Sequence, residues 1–455
     1  MAALTPLRVR LRARLEILHP GDRLEALCAL AQWKAHSGLQ RRLVREWRYN
    51  RATDLLTLPR GLWPLPAALG PFAKPVDERL VLPPARFLPR WSGPKLEPVQ
   101  QRAFAAMRRA GGGLLEAPGG SGKTVMALHI IAAWGQPALW IVHSAQLVGQ
   151  AMGQARRLFA LPPGAIGTAI DGAYRPGSLL TFATRQTLAS RMPRGFAERF
   201  GTVWVDEIDL AGAPTYMRLV QRFPALHRGG GTATVARTDR LHPAVLAVFG
   251  PVAATITEAA AEDAGLFVSP IIEFRWTGQS YEWPGDWPTL QAERARDPQR
   301  NDIIARAVAR DIRDGHSVLV LCQMIDHAEA ITAILRRHGY DARHVTGQVE
   351  RDTRDRRISD ARSRRLRCIV ATRVLERGTD LPVVDRVHMA DPYRSWPTVM
   401  QQVYRASRPA EAKEQPVVID WCDGGRQFES QAWARLRLYR DRQWETRGRV
   451  PVRPR

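Results

Sequence analysis

The stretch that most constrains this chain is GLLEAPGGSGKTVMALHIIAAW, residues 113–134. A short apolar run, Leu114 and Leu115, ends in a glycine-rich turn, and an apolar helix-like segment follows at once. A strand, a glycine loop and a helix opening on Lys-Thr is the local context of a phosphate-binding loop. Gly119, Gly120 and Gly122, with Ser121 among them, let successive backbone N–H groups line a concavity that holds a polyphosphate. The helix opening at Lys123 adds its partial positive end. Lys123 can reach the β- and γ-phosphates, and the Thr124 hydroxyl can ligate Mg²⁺. Ala117 stands where the strict pattern G-x4-G-K-[ST] has glycine.

At 455 residues the chain is too long for one core, and two or three domains are expected. Residues 7–17, LRVRLRARLEI, alternate strictly, so Arg8, Arg10, Arg12 and Arg14 are expected on one face of a strand. Residues 22–48 read as helix, and DLLTL, before Pro59, as a second strand. Residues 1–90 form a small accessory α+β domain in this reading, and the Pro-rich segment 62–94 a connector or irregular loops. From Leu96 strands alternate with helices: 137–144, 178–184 and 201–207 are strand-like. That alternation predicts an α/β fold with a parallel sheet covered on both faces over 91–268. Pro, Trp and Gly cluster at 276–288, so 269–298 is read as a linker with an insertion, its aromatic residues serving loop packing. A second α/β unit is expected over 299–425, followed by a C-terminal helix and basic tail, 426–455.

Charge narrows the partners. Lys and Arg number 67 against 44 Asp and Glu, a formal net charge of +23, which points to a polyanion such as nucleic acid. A basic background composition would give the same excess. Cys28, Cys322, Cys368 and Cys422 are scattered without C-x-x-C spacing, which favours neither zinc nor a disulfide framework and suits a reducing cytoplasm. No apolar run has the length of a membrane span, and no signal peptide is expected.

Val203-Trp204-Val205 leads directly into Asp206-Glu207. Two carboxylates at the carboxyl end of a strand divide naturally, Asp206 for the metal and Glu207 as general base on the attacking water. Alone, the pair fits a helix N-cap equally well. In order along the chain come LEPVQ (96–100), APGGSGKT, IVHSAQLVGQ (141–150), TFATRQTL (181–188), DEID (206–209), GTATVARTD (231–239), ATRVLERGTDLP (371–382) and QQVYRASRP (401–409). This series resembles the motifs of the superfamily 2 helicases, the DEAD/DEAH-box-like motors, and within them the phage- and repair-type DNA helicases. Val235, Glu97, Val99 and Tyr404 depart from the residues usual there.

The resemblance implies two tandem RecA-like parallel-sheet domains with ATP in the cleft between them. It implies that Gln100 recognises adenine, that Gly378 and Asp380 approach the nucleotide, and that Thr232 and Thr234 couple the two activities. Arg405 and Arg408, one helical turn apart on one face, would neutralise the γ-phosphate, and Gln401 would contact it or the attacking water. Nucleic acid, DNA rather than RNA, would cross the opposite edge of the sheets, contacted by Ser144, Thr184, Arg185, Gln186, Thr372 and Arg373. The arginines of 350–367 would divide between a tracking surface and a solvated face. The function so implied is an ATP-dependent helicase or translocase. Two rivals stand beside it: a nucleotide-gated clamp that does not separate strands, and the motor subunit of a larger restriction, repair or defence machine.

Overall fold

The computed structural model describes every residue except 1–5, 38–39, 91–94, 209–213, 236–239, 373–380, 393–395, 411–412 and 454–455. The chain divides into two compact units, residues 1–118 with 122–260, and residues 261–455 with 119–121.

In the first unit an eight-stranded sheet runs in the order Ala173–Arg175, Ile166–Ile170, Leu180–Thr184, Ala138–Val142, Thr202–Val205, His227–Thr232, Gly112–Glu116, Val252–Thr255. All neighbours are parallel except the first pair. Ala138–Val142 and Thr202–Val205 are buried throughout, as continuous apolar strands between two helical layers must be. The register Val205↔Gly230 and Thr232↔Glu116 brings the ends of three strands to one level.

The N-terminal region belongs to this unit but carries its own sheet, Arg48–Asn50, Leu55–Leu58, Leu15–Leu18, Arg8–Leu11 and Val76–Asp77. The alternating run 7–17 is not one strand. It turns at Arg12–Arg14 and returns as an antiparallel hairpin, with Val9 opposite Ile17. Among the described residues of 22–48 only Leu24–Ala29 is α-helix; Gln32–Ser37 and Gln40–Arg45 form a second hairpin. Trp33, Ala35 and Val44 of that hairpin pack into the core of the large sheet, and this burial outweighs local helix propensity. At Gly61 a Cβ would come within 2.5 Å of Gly250 N, so only glycine lets this turn sit on the helix His242–Phe249.

The Pro-rich segment is a strap rather than a free connector. Leu80 N donates to Pro224 O (2.8 Å), Ala85 N to Gly135 O (2.8 Å) and Arg90 N to Leu158 O (2.7 Å).

The second unit is built on a seven-stranded, wholly parallel sheet: Ala342–Val345, Cys368–Ala371, Val318–Leu321, Arg386–Met389, Val417–Gly424, Ile271–Ser280, Thr446–Gly448. The segment 269–298 is therefore not a linker. Ile271–Ser280 lies inside the sheet, and Trp287–Arg296 is a helix of the same unit. Trp276 donates Nε1–H to Arg449 O (2.7 Å), Tyr281 is buried, and Trp287 packs on Phe428, as expected for packing aromatics; Trp283 alone of this cluster is largely exposed. The tail supplies the edge strand Thr446–Gly448.

Candidate nucleotide and nucleic-acid site

The nucleotide loop follows the strand Gly112–Glu116, and the helix Lys123–Trp134 starts behind it. Its first N–H groups have no intrahelical acceptor and face the loop. Gly122 caps the helix at φ +79, and a Cβ there would lie 2.5 Å from Gln100 Nε2. Gln100 is buried, and its Oε1 accepts from Glu97 N (2.9 Å), closing a capping box on the helix Pro98–Ala110. Gln100 thus brings the start of its helix into close approach with the loop. Lys123 Nζ bonds the carbonyls of Ala117 and Pro118, both at 2.8 Å. Ser121 is buried and Thr124 is half-buried at the first helical turn.

Asp206 follows the strand Thr202–Val205, with its N–H donated to Ile141 O (3.0 Å). Three motifs converge here. The position of a Cβ on Gly231 lies 3.5 Å from Asp206 Oδ1 and 4.0 Å from Lys123 Cδ. A hydroxyl at Thr124 and a carboxylate at Asp206 form the hard oxygen donor set that suits Mg²⁺ beside phosphate oxygens. Glu207 adopts φ +54, an uncommon conformation for a side chain of this size and one associated with functional sites. Its Oε2 lies 3.5 Å from His143 Nδ1. His143 was not singled out from the sequence, where the only signal is its position directly after a buried strand. Burial, with Asp206 nearby, pushes the Tyr216 hydroxyl far above its ordinary pKa.

Thr232 and Thr234 are both buried and bond each other: Thr232 Oγ1 donates to Thr234 O (2.6 Å), and Thr234 N donates to Thr232 Oγ1 (3.2 Å). The same segment is laced to the nucleotide loop, because Ala117 N donates to Thr232 O (3.0 Å) and Val235 N to Glu116 Oε1 (2.9 Å).

Ser144 and Thr184 are N-caps, their hydroxyls accepting from Leu147 N and Thr187 N at 3.4 Å each. They stand on the carboxyl edge of the sheet, the edge that also carries Lys123 and Asp206, and not on the opposite edge. The strand order separates them along it. Arg185 lies over the Tyr216 ring (5.9 Å) and Gln186 is exposed.

In the second unit Thr372 is buried at the end of Cys368–Ala371, its N–H donated to Val345 O (3.2 Å). Arg373, Gly378 and Asp380 lie outside the described residues, as do Asp209 and Arg237–Asp239. Gln401 belongs to the helix Trp396–Ala406, with its side chain outside the description. Arg405 is in the last turn of that helix and half-buried. Arg408 lies beyond its end, so the two arginines are not on one helical face. Lys413, missed in the sequence, bonds the carbonyls of Ala406 (2.7 Å), Arg408 (2.6 Å) and Pro382 (3.0 Å). A lysine just past a helix C-terminus is the signal that could have found it. Tyr404, where the motif usually has glycine, is buried against Phe267 and Trp444 and accepts from Arg442 Nη1 (3.0 Å).

Of the arginines in 350–367, Arg357 donates to His344 O, Arg365 pairs with Asp360 (2.7 Å) and Arg367 donates to Gly315 O (2.7 Å). Those three are used within the fold.

Beneath the carboxyl edge of the second sheet lies a buried ionic network. Asp391 takes Arg294 (2.9 Å) and His327 (2.5 Å), and Asp423 takes Arg300 (3.0 Å) and Thr277 Oγ1 (2.5 Å). Cys322, His327 and Asp391 have ligand atoms close enough for a metal. Two guanidinium groups already compensate this carboxylate, so the cluster is an ion-pair network. Burial alone would raise the Asp391 carboxyl; His327, Arg294 and Arg300 overcome it and hold it far below the usual range.

A glycine loop, an acidic pair and the Thr232–Thr234 segment at the end of one parallel sheet, with a second wholly parallel sheet in the following unit, are the arrangement of a nucleoside-triphosphatase of the two-sheet motor type. Comparison with known proteins gives the family. Residues 93–237 match the family described as Type III restriction enzyme, res subunit, and residues 299–410 the Helicase conserved C-terminal domain. The chain is 24% identical to the probable helicase D10 of Escherichia phage T5, over 73% of this chain and 72% of that protein. It is 26% identical to Rad25 of Halobacterium salinarum, a candidate DNA 3'-5' helicase, over 75% of this chain and 56% of the relative. Among solved structures, S. cerevisiae Dbp5 bound to RNA and ADP BeF3 has the same fold, with a TM-score of 0.55, 14% identity, and coverage of 77% and 89% of the two chains. The chain belongs to the superfamily 2 helicases, a family of ATP-dependent helicases and translocases. No helix among the described residues is long and apolar enough to cross a membrane.

Proposed function

We propose that this chain couples ATP hydrolysis to movement along nucleic acid, DNA rather than RNA. The observation that carries the reading is the convergence of Lys123, Asp206 and Gly231 on one sheet edge, laced through Ala117 and Glu116 to the Thr232–Val235 segment. Lys123 takes the charge of the β/γ-phosphates, and the loop N–H groups hold their oxygens. Thr124 and Asp206 would hold Mg²⁺, which supplies further neutralisation of those oxygens. Glu207, steadied by His143, accepts the proton of the attacking water. Arg405 and Arg408 are assigned to the charge on the transferred phosphoryl group, with Gln401, Gly378 and Asp380 beside the nucleotide. Ser144, Thr184, Arg185, Gln186, Thr372 and Arg373 are assigned to the sugar-phosphate backbone.

DNA is preferred because a relative matched over 75% of this chain carries a DNA helicase name; the Dbp5 likeness shows the fold alone. ATPase activity with single-stranded DNA, duplex DNA and RNA decides this. Lys123→Ala is expected to abolish turnover in a folded protein. Glu207→Gln keeps nucleotide affinity while losing turnover by about 10²–10⁴-fold. A Glu207→Gln protein that loses affinity and keeps its rate reverses the roles of Asp206 and Glu207. The match of residues 93–237 to a restriction-enzyme subunit family favours one second reading, a motor within a larger assembly, which co-purification tests.

A further inference from the structure

One cavity in the first unit lies outside everything assigned above. It measures about 210 Å³ and is walled by five arginines, Arg14, Arg45, Arg48, Arg218 and Arg222, against one carboxylate, Glu46. Three separate segments build it: the turn of the first hairpin, the chain leaving the second hairpin, and the helix Pro214–Val220 with the two residues after it. Five guanidinium groups around one carboxylate repel one another unless an anion joins them.

The hydrogen-bond inventory points the same way. Glu46 and Gln221, each 4% exposed, form the floor, with Gln221 Nε2 donating to Glu46 Oε2 (3.2 Å) and Arg14 donating to the Glu46 carbonyl. Arg14 Nε and Trp47 Nε1 are buried donors with no hydrogen-bond partner among the described residues, and Glu46 Oε1 and Gln221 Oε1 are acceptors in the same condition. Arg218 Nε is 3.5 Å from Glu46 Oε1, so that arginine is held to the floor. Arg45, Arg48 and Arg222 stay on the exposed rim. Each unmet buried donor is destabilising in such a setting, and an oxyanion relieves it. Burial, opposed by Glu46 and reinforced by Arg48, lowers the Arg14 guanidinium from its ordinary value.

Position selects the anion. Arg222 Nη1 reaches Leu188 O (3.4 Å) in the helix Arg185–Ala189, whose first residues, Arg185 and Gln186, are assigned to the nucleic-acid backbone. Arg185 in turn lies over Tyr216 of the helix that carries Arg218. The cavity is the next stop along that basic path. The geometry points to a phosphate site: the arginine cavity seats one phosphodiester group of the bound nucleic-acid strand, beyond the phosphates met by Arg185 and Gln186. This rests on the nucleic-acid reading proposed above.

The test is fluorescence anisotropy with labelled single-stranded DNA across a salt series, on full-length protein. Arg48→Gln with Arg222→Gln is expected to weaken binding about tenfold and to reduce the magnitude of the log–log salt slope by about 0.7, the loss of one phosphate contact. Glu46→Gln, which keeps a side-chain oxygen to accept from Gln221 Nε2 and removes the one negative charge of the lining, is expected to tighten binding roughly threefold. A merely structural role would weaken binding in both variants. Arg108→Gln with Arg109→Gln, on an exposed helix face, is the control and leaves affinity and slope unchanged. Wild-type binding with an unchanged Arg48/Arg222 variant overturns this site alone. Absence of binding by the wild type overturns both the site and the reading beneath it. If inorganic phosphate raises the melting temperature of wild type but not of the Arg48/Arg222 variant, while DNA affinity is equal, the cavity holds a free anion and the phosphodiester assignment falls.

Discussion

The two units bury positive charge by opposite means. In the first, Arg60 and Arg228 are buried on backbone carbonyls: Arg60 donates to Arg12 O (3.2 Å) and Ala225 O (2.7 Å), Arg228 to Val248 O (3.0 Å) and Ala13 O (2.9 Å). They fasten the N-terminal sheet to the large one. Burial, with Arg79 nearby, lowers Arg60 to about 9, and burial, with Arg60 and Arg14 nearby, holds Arg228 well below its ordinary value. In the second unit Arg300 and Arg435 are equally buried, yet Asp423 and Asp391 around Arg300, and Asp420 around Arg435, more than offset the burial and raise both. Arg294 lies beside Asp391 as well, but there burial, with Arg300 and Arg435 nearby, still wins and lowers it. Among the second unit's arginines, one population is locked to aspartates inside, and another, Arg405 and Arg408, lies at the end of the helix Trp396–Ala406 and just beyond it.

The sharpest break between these populations is expected at Arg408. Arg408→Ala should reduce nucleic-acid-stimulated ATP turnover by about 10³–10⁵-fold, as loss of an arginine finger does, while leaving thermal stability close to wild type. Arg364→Ala and Arg365→Ala should spare turnover at saturating nucleic acid. If Arg408→Ala behaves as they do, the helix-end population has no separate role.

Next in size is the network. Asp391→Asn leaves Arg294 and Arg300 short of a counter-charge and should cost about 3–5 kcal/mol of unfolding free energy, read by denaturant melts. The acid dependence has a definite sign. The folded-state value of Asp391 is depressed, so its contribution is complete above the unfolded carboxylate value, about 3.9, and is lost as pH falls below it. Wild type should lose stability from about pH 4 downward, and Asp391→Asn should flatten that limb. Equal acid sensitivity in both proteins would assign the limb to other carboxylates.

Arg60→Met should show the smallest effect, about 1 kcal/mol. Two carbonyls lose a donor, but a costly desolvated charge also disappears. A loss as large as that of Asp391→Asn would erase the distinction between the units.

The parts of the site that were legible in the sequence are local ones. The glycine loop, Lys123, Asp206-Glu207 and the Thr232/Thr234 pair sit at strand ends whose apolar runs announce themselves, and the sheet gathers them by its register alone. Expectations failed where a distant partner decided. The run 7–17 alternates equally well as one strand or as a hairpin, because period-two patterning does not mark a turn at Arg12–Arg14. Residues 22–48 gave up most of their helix because Trp33 and Val44 found a core to bury against.

The sequence by itself determined the order of motifs, the two parallel sheets and which residues stand at the first carboxyl edge. Each of these follows from residues that are neighbours in the chain or from the periodicity of one element. Only the tertiary structure decided that Ile271–Ser280 is a strand of the second sheet, that Lys413 holds the carbonyls around Arg408, and that five arginines from three segments share one cavity. Those outcomes depend on burial and charge between residues far apart in sequence, and no single segment contains the information.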